Sequence, residues 1–316
     1  MRKLRSPKVM NIELLTYCPY SCAHCYKANL NNNHYMLSIS QCEKIIHEAK
    51  QIGIKKILLS GGEPLCYPYL ENVISMCHEK SIAVCLSTGG YGLTLKKMED
   101  LRASGLDVLY VSLNGSTKEV NENIRDGYDT AINALLLASK CRVTCRINWV
   151  AMKSCLNDLK KLMALAENYN VAGIDILKFK PVNKEQEKTE SLTYQELILL
   201  SDIIKTSKVD IARESCFAEL RHLCGIKIKN EILRGCSGGR YSLTYTAKGY
   251  FIPCSHMEGM AAQAISIMDY WQNDSSLQAF VSSDIKSPVC HTCEYTDYCQ
   301  PCMAVTTHCA FVENLS

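Results

Sequence analysis

Six short runs rich in Ile, Leu and Val recur along the first half of the chain, at 9–16, 56–60, 83–87, 108–112, 143–150 and 174–179. Bounded by Gly, Ser or charged residues, they read as buried parallel strands. The stretches between them read as amphipathic helices. Residues 40–51 open with Ser40 and Glu43 as a capping box, and 156–168 carry Leu156, Leu159, Met163 and Ala166 at helical spacing. Such a succession constrains the fold strongly, because right-handed crossovers put every helix on one face of a parallel sheet and curl it toward a barrel. A full eight-unit barrel needs more chain than this half supplies. The expected fold class is α/β, a partial (β/α)6 barrel open on one side, over residues 1–185.

The pattern changes after Pro181. Residues 183–190 form a charged connector, and Thr193 with Glu196 caps a further helix. Residues 186–235 are expected as a helical connector. Residues 236–316, dense in Cys, Gly and Pro, are expected as a small Cys-rich cluster-binding domain held by metal. The 316 residues include 19 cysteines. The basic start, 1–8, is not followed by an apolar stretch of signal-peptide length. A cytoplasmic protein is expected, in which such cysteines serve as metal ligands or catalytic groups rather than disulfides. A net charge of +3 leaves no nucleic-acid footprint, and no apolar run is long enough for a membrane span.

Cys18-Pro-Tyr-Ser-Cys22-Ala-His-Cys25 follows the first strand directly, at the carboxyl end where barrel enzymes keep their chemistry. Three thiolates on one loop can hold three irons of a 4Fe–4S cube and leave the fourth open to a ligand. A structural zinc site would need a fourth ligand, which His24 could supply.

The run resembles the CxxxCxxC signature of the radical S-adenosylmethionine (SAM) superfamily, with His24 in the usual aromatic position. Gly61, Gly62, Glu63 and Pro64 resemble its GGEP motif, which receives the methionine amino group of SAM. Two glycines allow close approach of a ligand, and Glu63 offers an anion to an ammonium. Ser87 and Thr88 open a segment similar to the ribose-contacting one, with Gly89 where Asn is common. Ser112 and Asn114 resemble the SLDG segment, with Asn114 replacing Asp, and Arg125 matches the arginine that pairs with the SAM carboxylate. The resemblance implies cleavage of SAM by one electron to a 5′-deoxyadenosyl radical, which takes a hydrogen from the substrate.

Cys236, Gly249 and Cys254, then Cys290, Cys293, Cys299 and Cys302, then Cys309, resemble the SPASM extension, although two residues rather than three separate Cys299 from Cys302. The resemblance implies one or two auxiliary 4Fe–4S clusters. Cys236, Cys254 and Cys302 would hold one, with Cys224 as fourth ligand and Cys216 as runner-up. Cys290, Cys293, Cys299 and Cys309 would hold the other. On spacing alone, the pairs Cys290/Cys293 and Cys299/Cys302 also read as a zinc ribbon.

Cys42, Cys77, Cys85, Cys141, Cys145 and Cys155 read as packing residues. Cys66, just past Pro64, is the one candidate for a substrate-facing hydrogen donor. Lys178 and Lys180 are expected in solvent, with substrate carboxylates as a second use, and His256 and His291 as loop residues. The resemblance implies a peptide-modifying enzyme served by an external one-electron donor of flavodoxin or ferredoxin type. With the first strand starting near Val9, peptide recognition is expected from the barrel, the cluster domain or a separate protein. The alternatives are a radical SAM enzyme acting on a sugar or amino-acid derivative, and a cluster- or zinc-bound binding or electron-transfer protein.

Overall fold

The computed structural model describes residues 6–27, 34–226, 235–282, 293–297, 299–305 and 309. All six apolar runs form strands: β1 (Val9–Glu13), β2 (Lys56–Ser60), β3 (Ala83–Thr88), β4 (Val108–Ser112), β5 (Cys145–Ala151) and β6 (Gly173–Lys178). Three more join the same sheet: β7 (Ile211–Arg213), β8 (Ser242–Tyr245) and β9 (Phe251–Ile252). The order is β7-β6-β5-β4-β3-β2-β1-β8-β9. Every neighbouring pair is parallel except the β8–β9 hairpin.

The period of two along each strand decides which residues meet the helices and which meet the lumen. Met10, Ile12, Ile57, Leu59, Leu109, Val111, Ile147 and Trp149 are fully buried in the apolar core. The alternate positions, among them Asn11, Ser60, Ser112, Asn148, Asp175 and Thr244, line a single cavity of about 650 Å³. One face of the sheet thus surrounds one cavity into which these polar side chains project, which is the curvature of a partial barrel.

The helices include α1 (Ile39–Ile52), α2 (Leu70–Glu79), α3 (Leu95–Ala103), α4 (Lys118–Glu122), α5 (Tyr128–Cys141), α6 (Lys153–Leu156) and α7 (Leu159–Asn168). After β6 come α8 (Lys184–Glu190), α9 (Tyr194–Lys205) and α10 (Ala218–Leu223), and after β9 come α11 (Ile267–Asn273) and α12 (Ser275–Ser282). The capping box of α1 is Ser38 with Gln41, not Ser40 with Glu43. Ser38 is extended, and the Gln41 side chain returns to its backbone N–H at 2.9 Å, so the helix starts two residues earlier. Thr193 and Glu196 form the expected box on α9. The helix expected over 156–168 is two, because Asp158 turns out of it to accept from the Ser116 backbone and hydroxyl at 2.5 and 2.8 Å. No helix among the described residues is long and apolar enough to cross a membrane.

β7 and β8 come from the spans expected as connector and cluster domain. β8 lies beside β1 with Val9 opposite Ser242 and Ile12 opposite Tyr245. The chain's far end therefore covers the edge that β1 would otherwise present, and edge strands left open are a liability.

Candidate active site

Cys18, Cys22 and Cys25 all line the cavity. Their loop is fixed by backbone contacts: Cys25 N–H to Cys22 O (3.0 Å), Ala23 N–H to Ile124 O (3.1 Å) and Ser21 N–H to Asp126 Oδ2 (2.6 Å). The Gln186 amide of α8 donates to Ala23 O at 2.7 Å. Burial pushes the Cys18 thiol up to about 12 and also raises Cys22, against the pull of the Arg125 guanidinium. Among the described residues no three Cys, His, Asp or Glu side chains converge as ligands of a single metal ion do. Ligands of three different irons need not converge on one point.

The glycines after β2, Gly61 and Gly62, line the cavity and also give the chain itself room to pack. Gly61 donates no side chain to the cavity wall, has φ +139°, and a Cβ there would lie 2.4 Å from Leu15 O. A Cβ on Gly62 would lie 2.0 Å from Tyr17 O. What approaches the glycines so closely is the chain's own segment leading into the cysteine loop. Gly62 N–H and Glu63 N–H bond to Leu15 O and Tyr17 O at 2.7 and 2.8 Å. The pair locks the loop onto β2.

Glu63 is buried and faces the cavity. Its Oε1 accepts from Thr88 Oγ1 (2.5 Å) and the Leu65 N–H (3.1 Å), and its Oε2 from the Gly89 N–H (2.8 Å). Burial raises its carboxyl above the usual range even so. Gly89 has no room for a side chain, since its Cβ would meet the Tyr20 ring at 2.7 Å. That ring, whose hydroxyl bonds Thr130 Oγ1 at 2.6 Å, accounts for glycine where the resembled family often has Asn. Ser87, Thr88 and Ser112 line the cavity.

Arg125 lines the cavity between two holders. Its Nε donates to Asn114 Oδ1 (3.2 Å) and its Nη2 to His24 Nε2 (2.9 Å). His24 Nδ1 donates in turn to Ile124 O at 3.0 Å. Burial, with Arg125 beside it, pulls the imidazole down to about 3, so it stays neutral and accepts. Asn114 is fully buried and does not reach the cavity, which corrects its expected role. It also donates to Val150 O at 3.0 Å, and it acts by orienting Arg125. Pro64 starts a 3-10 turn, Pro64–Cys66, that carries Cys66 away. Cys66 packs partly buried against the core and does not line the cavity, contrary to the substrate-facing role.

A second group of thiols faces the same space. Cys216, Cys236, Cys254 and Cys302 all line the cavity. Gly235 bridges to Gln300, and the Cys236 N–H bonds to Gln300 O at 3.2 Å, which sets Cys236 beside Cys302. The β8–β9 hairpin delivers Cys254, and the turn after β7 delivers Cys216. The Cys216 thiol donates to Cys302, holding Cys302 below the ordinary thiol range with help from Lys180 and Lys178, and holding Cys216 above it. The runner-up, Cys216, thus stands where Cys224 was expected. Cys224 caps α10 and donates to Ser201 Oγ at 3.6 Å, outside the cavity. Cys293, Cys299 and Cys309 do not line the cavity, and Cys290 and His291 lie outside the described residues.

Lys178 and Lys180 are buried, not solvated. Lys178 pairs with Glu219, and Lys180 with both oxygens of Glu214 at 2.9 and 2.7 Å. Neither glutamate carries a sequence signal: Glu214 directly follows a three-residue strand, and Glu219 sits in the first turn of the six-residue α10. His256 lies 3.7 Å from Cys254 Sγ and stacks on Tyr26, ring centroids 3.9 Å apart. It joins the two cysteine groups through their neighbours.

Residues 12–166 match the family described as the Radical SAM superfamily. The chain is 23% identical to an AdoMet-dependent heme synthase of Methanosarcina barkeri, over 95% of this chain and 92% of that one. It is 26% identical to mycofactocin maturase MftC of Mycolicibacterium smegmatis, over 96% and 80% of the two chains. Its fold is that of Streptococcus suis SuiB. The SuiB structure bound to SAM gives a TM-score of 0.83 at 20% identity, covering 96% of this chain and 74% of that one. The structure bound to precursor peptide SuiA gives 0.82 at 19% identity, covering 96% and 73%.

Proposed function

The chain belongs to the radical SAM superfamily and is an enzyme, and from that premise we propose that it modifies a side chain or α-carbon of a peptide. The observation that carries this reading is the single cavity shared by Cys18, Cys22, Cys25, Glu63, Arg125 and the second group of thiols. The donor set fits a cluster. Three thiols on one loop face one space, and burial lets Cys18 and Cys22 keep their protons until a cation offsets the thiolate charge. When bound, the cluster and SAM supply reductive cleavage of SAM to methionine and a hydrogen-abstracting 5′-deoxyadenosyl radical.

The chain's own groups then have distinct tasks. Cys18, Cys22 and Cys25 would hold three irons. Glu63, with one hydrogen bond on Oε2, would receive the SAM ammonium, and Arg125 the carboxylate through its fork. Gly61 and Gly62 hold the loop in register with Glu63, and the barrel wall keeps water from the reacting space. Cys216, from the turn after β7, would hold one auxiliary cluster with Cys236, Cys254 and Cys302, and Cys290, Cys293, Cys299 and Cys309 would hold a second; apart from Cys216, these ligands belong to a cluster-binding unit over 236–316 that also lends β8 to the barrel. Electrons would come from a flavodoxin- or ferredoxin-type donor. A separate protein would present the peptide where the barrel and cluster unit do not.

The peptide is favoured because one relative is a maturase and SuiB, which shares the fold, was solved with a precursor peptide. A cavity of about 650 Å³ suits one cofactor-sized ligand and a reaching side chain. The similarity to a heme synthase across 95% of the chain favours, as the second reading, a small-molecule substrate. Anaerobic enzyme given reductant, SAM and short peptides is expected to release 5′-deoxyadenosine faster with peptide and to change the peptide's mass. Release stimulated only by small molecules would select the second reading.

A further inference from the structure

The charged groups lining the cavity are almost all engaged. Lys178 and Lys180 are held by Glu219 and Glu214, and Asp175 by Arg146 at 2.5 Å. Arg125 is held by Asn114 and His24. Lys56, at the start of β2, donates to the Tyr110 hydroxyl at 3.2 Å and lies 5.4 Å from that ring's centroid.

Arg213 differs. It ends β7, the last strand at one edge of the sheet, so it stands at the carboxyl end of a strand where the barrel is open. It lines the cavity. Its Nη1 donates to Ile211 O at 3.2 Å, in its own strand, while its Nε is buried without a partner. The adjacent carboxylate, Glu214, is taken by Lys180, and among the described residues no ion pair includes Arg213. A second guanidinium, Arg221, is near enough for Arg213 to help burial in lowering it. A guanidinium with a buried, unsatisfied donor beside a second guanidinium suits an anionic group.

We propose that Arg213 binds a carboxylate of the substrate, fixing the substrate at the open edge of the barrel with its reacting group directed to the Cys18–Cys25 side of the cavity. The planar fork suits a carboxylate, and each of Lys56, Arg125, Lys178 and Lys180 already bonds to a side chain, whereas Arg213 bonds to a backbone carbonyl. An acidic residue or terminus of a peptide and a small polycarboxylate both carry this group; naming the peptide rests on the function proposed above.

The test uses the iron-loaded enzyme with two probes. One is a randomised short-peptide library read by mass spectrometry; the other is a panel of di- and tricarboxylates read by 5′-deoxyadenosine release. Wild type is expected to modify peptides bearing Asp or Glu at a fixed distance from the altered residue, with at least a tenfold loss of kcat/KM when the acid becomes its amide. Arg213→Gln removes that discrimination, Arg213→Glu turns it toward Lys or Arg, and Arg213→Lys restores part of it. Iron content and thermal midpoint report whether each variant is folded. Turnover of small carboxylates alone, with the same dependence on Arg213, keeps the anion site and overturns the peptide reading. Acid and amide handled alike by wild type and Arg213→Gln overturns the anion site. So does turnover in neither arm when no carboxylate raises the wild-type midpoint more than that of Arg213→Gln.

Discussion

Arg125 takes its direction from Asn114, which is fully buried behind the cavity wall, and from His24, which lines the cavity. If Arg125 meets the SAM carboxylate, Asn114→Ala should weaken SAM binding to the reconstituted enzyme by roughly ten- to a hundredfold, the size of one charge-assisted hydrogen bond. Arg125→Ala should weaken it more. Calorimetric titration reads both, and an Asn114→Ala enzyme that binds SAM as wild type does would contradict the account. A second prediction concerns thiols outside the site. Burial pushes Cys77 and Cys145 up to about 12 and Cys155 up to about 11. The thiolate is the nucleophile, so a raised value lowers its fraction at every pH below it. Iodoacetamide at pH 8 should spare these three in the folded protein. Their rates should rise as pH rises toward 11–12, and all three should react freely in urea. Peptide mapping that finds them alkylated early in native buffer would count against their placement. The cysteine and glutamate positions of the site were legible because their spacing is local. Cys216 against Cys224 was not, because only the turn after β7 decides which of two nearby thiols reaches Cys302. Lys178 and Lys180 were unreadable for the same reason, since their partners Glu214 and Glu219 lie 34 and 41 residues away in sequence.

At the scale of elements, the barrel was legible and its joints were not. The six strands stand within a few residues of where the apolar runs put them, because parallel strands buried on the helix side need Ile, Leu and Val there. The lumen face was hidden in the same runs, where Asn11, Ser60, Asn148 and Asp175 alternate with the apolar positions. β7 and β8 are three and four residues long, too short for periodicity to mark them. The start of α1 was misplaced by two positions because both Ser38-Gln41 and Ser40-Glu43 satisfy the capping pattern. Ser38→Ala should therefore cost about 1 kcal/mol and Ser40→Ala much less, read from urea midpoints. Equal costs would contradict the observed cap. The glycines before Glu63 give a sharper case. Gly62→Ala would force backbone to move, so it should lower the urea midpoint and iron content together. Gly89→Ala meets only a Tyr20 ring and should be milder.

The whole molecule is closed by its own C-terminal part. β8 pairs with β1, Lys27 reaches Glu13 and Glu258 (3.6 Å to the latter), and Tyr26 stacks on His256. These contacts hold the loop of Cys18, Cys22 and Cys25 against the segment carrying Cys254, so the two candidate cluster sites form one cavity rather than two separate units. The central claim is that the first loop carries the catalytic chemistry and the second group of thiols a separate cluster. It is tested most directly by anaerobic reconstitution of wild type and of a Cys18→Ala, Cys22→Ala, Cys25→Ala triple variant, with iron and sulfide counted per chain and 5′-deoxyadenosine measured after reduction with SAM. The account predicts that wild type makes 5′-deoxyadenosine, while the triple variant makes none and loses about four irons but keeps the remainder. Zinc in place of iron, or a triple variant that cleaves SAM like wild type, would contradict it.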